Sequence, residues 1–144
     1  MNKKIKFKEA SEKDILLYTC LGESLCAVQI LEDALSHSIV VKKTEPSQKH
    51  EADELLKDQK SFTFGRALNI IKKELLFPDT LVNELSDLLK ERNWLVHKSL
   101  TENKKDYRTD FFYKSLSEKT NAITLKANKL RISIELDLIE YTEK

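Results

Sequence analysis

The chain has 144 residues, 40% hydrophobic and 34% charged, with 25 Lys and Arg against 24 Asp and Glu, a formal net charge of +1. That length suits one domain with a core of its own, and the charge balance argues against a general coat for nucleic acid, which needs a basic surface to meet phosphates. Two glycines and two prolines leave little turn material, so a few long helices with short connections are expected.

The start, "MNKKIKFKEA", is basic but has no apolar centre and does not read as a secretory signal. No apolar run approaches the roughly 18 residues of a membrane span, so no membrane partner is expected. From Ser11 to about Val41 the pattern is helical. "SEKD" gives a capping-type start with acids in the first turn. Leu17, Leu21, Val28, Leu31, Leu35 and Ile39 then recur at helical spacing. Gly22 interrupts this helix at a cost of about 1 kcal/mol against alanine, which suggests a close helix crossing. Cys20 and Cys26 are too far apart for a CxxC pair and have no clustered histidine. They read as reduced, partly buried thiols of a cytoplasmic protein.

A polar connection containing Pro46 follows, with a short helix expected around His50–Asp58. A helix is expected from about Thr63 to Phe77, stopped by Pro78, with Asp79 placed to cap the next one. That next helix spans about Thr80–Leu100. After the polar turn "TENKKDYR", a last long pattern runs from about Thr109 to Tyr141. Leu116, Ile123 and Leu130 stand at seven-residue steps in it, as do Ala127, Ile134 and Tyr141. Its final part, "LRISIELDLI", alternates like a strand, but its length favours helix. Tyr107, Phe111, Phe112 and Tyr113 are expected to pack the end of the bundle. The lysine pairs, 42–43 among them, read as solvated faces. The whole predicts an all-α antiparallel bundle of four long helices plus a short one, in a single domain over residues 1–144.

The helix over 80–100 breaks its own pattern. With Leu85 set at zero and about 100° per residue, Leu81, Leu88 and Leu95 lie on one side of an apolar arc. Val82, Leu89, Val96 and Leu100 lie on the other. Arg92 falls inside this arc, at about 340°, while Asn93 and His97 sit on its shoulder near about 80° and 120°. A bland account makes Arg92 a structural cation paired with an acid of the first helix, Glu32 or Asp33, and His97 a boundary histidine. A sharper one brings the forked, permanently charged guanidinium, an amide and a titratable imidazole onto one phosphate. Trp94 points to about 180°, suited to packing on another helix or a partner subunit. His37 and His50 read as solvated.

Arg92-Asn93-Trp94-Leu95-Val96-His97, near the end of a bundle helix, resembles the Rx(4–6)H motif of the HEPN superfamily. "TFGRALNIIKKEL" followed by "LLKERNWLVHKSL" is similar to the arrangement in small, stand-alone HEPN-like bacterial proteins. The resemblance implies a helical bundle that dimerises and brings two motifs to a shared cleft. It implies a metal-independent endoribonuclease without cofactor, of the kind found in toxin–antitoxin, phage-defence or RNA-processing systems, with RNA as substrate and a cognate antitoxin as a further partner. Carried over, His97 is the acid/base catalyst, Arg92 holds and polarises the scissile phosphate, and Asn93 positions phosphate or imidazole. Ser99 stands where members paired with a nucleotidyltransferase antitoxin commonly have tyrosine, so control through that tyrosine does not carry over. The alternative is a non-catalytic HEPN-like interaction or ligand-sensing module that keeps the motif as structure.

Overall fold

In the computed structural model of the chain, which describes residue 9 and residues 11–60, 63–102 and 109–143, Ser11 opens the first helix with the reciprocal cap that "SEKD" suggests. Its hydroxyl accepts from the Asp14 backbone N–H at 3.1 Å, and the Asp14 carboxylate accepts from the Ser11 N–H at 3.4 Å. Five helices follow: α1 (Glu12–Lys43), α2 (Lys49–Lys60), α3 (Phe64–Lys73), α4 (Asp79–His97) and α5 (Asp110–Glu143). There is no strand among the described residues, and "LRISIELDLI" is helical throughout.

The helices are less even than expected. α1 and α5 have 32 and 34 residues, α4 has 19, and α2 and α3 only 12 and 10. α3 stops early because Leu75 turns into the left-handed region at φ 53°, and the Leu76 N–H reaches back to the Ile71 carbonyl at 3.1 Å. Asp79 does not cap α4. Pro78 holds that position without a side-chain cap, and Asp79 lies in the first turn, where its charge suits the helix N-terminus.

Ion pairs and hydrogen bonds give the helix directions. Lys13 pairs with Asp110, Cys20 meets Ser117, and Lys42 pairs with Asp137. Residue numbers rise together along both helices, so α1 and α5 run parallel. α4 runs against α5: Glu91 meets Lys126, whereas Trp94, further along α4, meets Lys119, further back on α5. The expected antiparallel bundle is therefore corrected for the α1–α5 pair. α4 descends along α1 and α5 begins near its end, so α5 has to ascend with α1.

One main core joins these elements. Leu31, Leu35 and Ile39 of α1 pack with Phe64, Leu68 and Ile71 of α3, Leu85 and Leu88 of α4, and Ile123, Ala127, Leu130 and Ile134 of α5. A smaller cluster of Leu17, Phe112 and Leu116 closes the end where α1 and α5 start. Phe111 is 74% exposed and does not join it, while Tyr107 lies outside the described residues. Tyr113 donates its hydroxyl to Asp14 at 2.7 Å, tying that end to the α1 cap.

Three expectations about α1 change. It is long enough to cross a membrane, and an 18-residue stretch of it, with a mean hydropathy of 1.4, is apolar enough by composition, contrary to the reading that no run approached that length. Part of that apolarity has another account in this fold: α1 touches α2, α3, α4 and α5, so one side is core, and 39% of the stretch is buried. Gly22 makes no close crossing with the described residues, because an added Cβ would meet none of them within 4 Å. Lys42 is not solvated. Its side chain is 6% exposed, donates to the Leu76 carbonyl at 2.7 Å, pairs with Asp137 and lies 4.2 Å from the Phe77 ring centroid. It thereby ties α1, the turn before α4 and α5 together. Of the two free cysteines, Cys20 is buried and Cys26 exposed.

Candidate functional site at the end of α4

α4 buries Leu81, Leu85, Leu88 and Leu95, which puts Arg92 at the edge of its core face. The Arg92 stem lies against the bundle, and its head turns toward α1. Nε donates to Glu32 Oε1 at 3.3 Å and Nη1 donates to Asn93 Oδ1 at 3.4 Å. The Arg92 and Glu32 side chains are 25% and 29% exposed, so this is a boundary ion pair, open to solvent on one side. Of the two acids considered for Arg92, Glu32 is its partner. Asp33 instead lies 3.6 Å from His37, whose Nδ1 is also 2.9 Å from the Asp33 carbonyl. His37 and His50 are both exposed.

His97 is the last residue of α4 and is exposed. Its imidazole has no hydrogen bond or ion pair with any described residue. On an ideal helix it stands about 7.5 Å along the axis from Arg92 and about 140° round it. Arg92 and Asn93 are thus in contact, whereas the His97 imidazole has no partner among the described residues. Val96 and Leu100, on the same side of the helix end, are 45% and 36% exposed. Ser99 is turned inward and donates to the Leu95 carbonyl at 2.7 Å.

Trp94 resolves differently from the partner-subunit alternative. It packs against both apolar clusters of its own chain. Its Nε1 donates to Glu102 at 2.5 Å, and Lys119 Nζ lies 3.5 Å from the ring centroid, a cation–π contact between α4 and α5. Sequence reading found Trp94 but not Lys119 or Glu102. The only signal for either was charge at an unremarkable surface position.

Three cavities lie elsewhere. One of about 40 Å³ is bordered by Trp94, Ser99, Glu102 and Lys119. One of about 260 Å³ opens where α1 and α5 start, beside Lys13, Leu16 and Tyr113. One of about 730 Å³ lies at the opposite end, beside Val41, Pro46 and Tyr141. None of these three is lined by Arg92, Asn93 or His97. Among the described residues, no three His, Cys, Asp or Glu side chains gather as a metal-binding group. What the end of α4 offers chemically is a solvent-facing guanidinium with donors left over, an amide beside it and an imidazole with no partner among the described residues. Comparison with family models, with curated proteins and with solved structures gives no match.

Proposed function

We propose that the chain is a metal-independent endoribonuclease of HEPN type, working on an RNA phosphate at the end of α4. The observation that carries this reading is the company Arg92 keeps. Its guanidinium is oriented by Glu32 and Asn93 at the solvent boundary, and an imidazole with no other described partner follows on the same helix. Glu32 engages Nε and Asn93 engages Nη1, which leaves Nη2 and the outer edge of the guanidinium to meet a phosphate oxygen. His97 takes the proton from the RNA 2′-hydroxyl. The 2′-oxygen then bonds to phosphorus, the bond to the 5′-oxygen breaks, the proton held by His97 passes through water to the leaving 5′-oxygen, and a 2′,3′-cyclic phosphate and a 5′-hydroxyl are left. The proposed working form is a cytoplasmic homodimer, with a toxin or defence role.

The test is cleavage of single-stranded RNA by the purified chain in the presence of a chelator. Cleavage is expected to persist, and His97→Ala to lower it at least about 100-fold with normal folding, because an exposed side chain at a helix end contributes little to a core. Growth arrest on expression, relieved by the same substitution, is the expected cellular counterpart. Activity unchanged in His97→Ala, or activity that needs magnesium, overturns the assignment.

A second reading is a non-catalytic helical interaction module. The Arg92–Glu32 pair favours it, since it gives the arginine a structural partner within the fold.

A further inference from the structure

At the start of α5, Phe111 is 74% exposed, more than any other Phe, Tyr or Trp among the described residues. It lines the cavity of about 40 Å³ that Trp94, Ser99, Glu102 and Lys119 border. This cavity lies on the flank of α4 beside the proposed site. Trp94 precedes His97 by three positions and is its neighbour on the helix, and Ser99 follows His97 by two.

The walls of the cavity are specific about what they accept. Glu102 accepts from Trp94 Nε1 through one carboxylate oxygen, and its other oxygen has no partner among the described residues. Ser115, also on the wall, has a hydroxyl without a hydrogen bond to any described residue. One carboxylate and one ammonium border the space, so neither an anion nor a cation is favoured there. A neutral group that both donates and accepts is. Trp94 cannot offer an open ring, because Lys119 Nζ lies 3.5 Å from its centroid and its body packs on both apolar clusters. Phe111 is the aromatic face left to solvent. The cavity has room for about three waters, too little for a heterocyclic ring but enough for the polar edge of one.

From this juxtaposition we infer that the notch between the end of α4 and the start of α5 is a subsite for one unpaired base of single-stranded RNA. The base stacks on Phe111 and its polar edge displaces water from the cavity. The inference rests on the RNA reading above and adds which part of the substrate is recognised. A base inside a duplex has both faces and its pairing edge engaged, so only a single strand or a loop can present it. The open oxygen of Glu102 accepts from an exocyclic amine, which adenine, cytosine and guanine carry and uracil lacks. Amino-bearing bases are therefore preferred.

The test is fluorescence anisotropy with end-labelled 2′-O-methyl oligonucleotides of each base, which cannot form the cyclic phosphate and so report binding apart from cleavage. Phe111→Ala should weaken binding at least about fivefold, the loss of one stacked base, and Phe111→Leu nearly as much. Phe111→Tyr keeps the ring and should keep the affinity. All three should retain the far-ultraviolet helix signal, because the side chain is at the surface. Glu102→Gln, which can still accept from Trp94, should narrow the gap between amino-bearing bases and uracil. A duplex of the same sequence should bind more weakly than the single strand. Equal binding by the wild-type chain and Phe111→Ala overturns the inference, as does full affinity in Phe111→Leu, which would mean apolar contact without stacking. Equal affinity for all four bases, for duplex and single strand, or no binding at all overturns it too. Cleavage that depends on His97 alongside binding indifferent to Phe111 refutes the subsite and leaves the ribonuclease reading standing. Binding that depends on Phe111 without any cleavage supports the subsite and refutes the ribonuclease.

Discussion

Arg92 is held in a way that fits both chemistry and support, and the strength of its pair with Glu32 decides between them. Both partners are more than a fifth exposed, so water screens the attraction and the pair contributes about 1 kcal/mol or less. Arg92→Leu also places an apolar side chain at the rim of a face that already buries Leu88 and Leu95. The net change expected in chemical denaturation is therefore a loss of no more than about 1 kcal/mol, with RNA cleavage abolished. A double-mutant cycle with Glu32→Leu should give a coupling of about 0.5–1 kcal/mol. A loss of roughly 3–5 kcal/mol on Arg92→Leu is the signature of a buried pair broken on one side. It would make the arginine part of the fold and remove it from the proposed site. Oligomeric state has to be held fixed across these measurements, because association adds to apparent stability.

At the scale of elements, the helices were legible because periodicity and caps agree. Ser11, Leu17, Val28 and Leu31 marked α1, and Ile123, Leu130 and Ile134 marked α5. Their parallel course was not legible, since a hydrophobic period specifies a face and says nothing about direction. On α4 the apolar arc holds except at its end: Leu81, Leu85, Leu88 and Leu95 are core and Val82 and Leu89 pack against it, while Val96 and Leu100 are exposed. Arg92 lies nearer the Leu81, Leu88 and Leu95 half, and it escapes burial only by turning its head toward Glu32 at the solvent boundary. Lys42 was misread for a related reason: its burial comes from Phe77 and Asp137, far off in sequence, and no local pattern announces them. Gly22 is the case where the sequence rule overreached. A glycine inside a 32-residue helix suggested a crossing, yet none of the described residues comes close to it. Gly22→Ala should therefore raise stability by about 0.5–1 kcal/mol through helix propensity and a less flexible unfolded chain. The measurement is the midpoint of denaturation at unchanged slope. A loss of stability instead would mean that something packs on that face of α1.

Across the whole molecule, the fold is closed by its last helix on its first. Cys20 meets Ser117 and Lys42 meets Asp137, so α1 and α5 hold each other along most of their lengths, although nearly the entire chain separates them in sequence. α5 also supplies Ile123, Ala127, Leu130 and Ile134 to the one core that α1, α3 and α4 share, and Phe112 and Leu116 to the smaller cluster. Deleting residues 110–144 removes one wall of both clusters and leaves Leu31, Leu35, Leu85 and Leu88 open to water. Such a chain cannot keep specific packing, but α1 retains its cap and much of its propensity. The truncated protein should therefore hold a substantial far-ultraviolet helix signal, lose its near-ultraviolet signal from Trp94, bind a hydrophobic dye, and melt without a cooperative transition. The α5 segment added back as a separate peptide should restore a sigmoidal melt, because it carries its own helical pattern and both halves of the missing contact. A truncated chain that melts cooperatively on its own would show that α1 to α4 form a self-sufficient core and that α5 is an attachment to it. In that event the motif at the end of α4 would also keep its geometry without α5, and Arg92 would remain paired with Glu32 in the shorter protein.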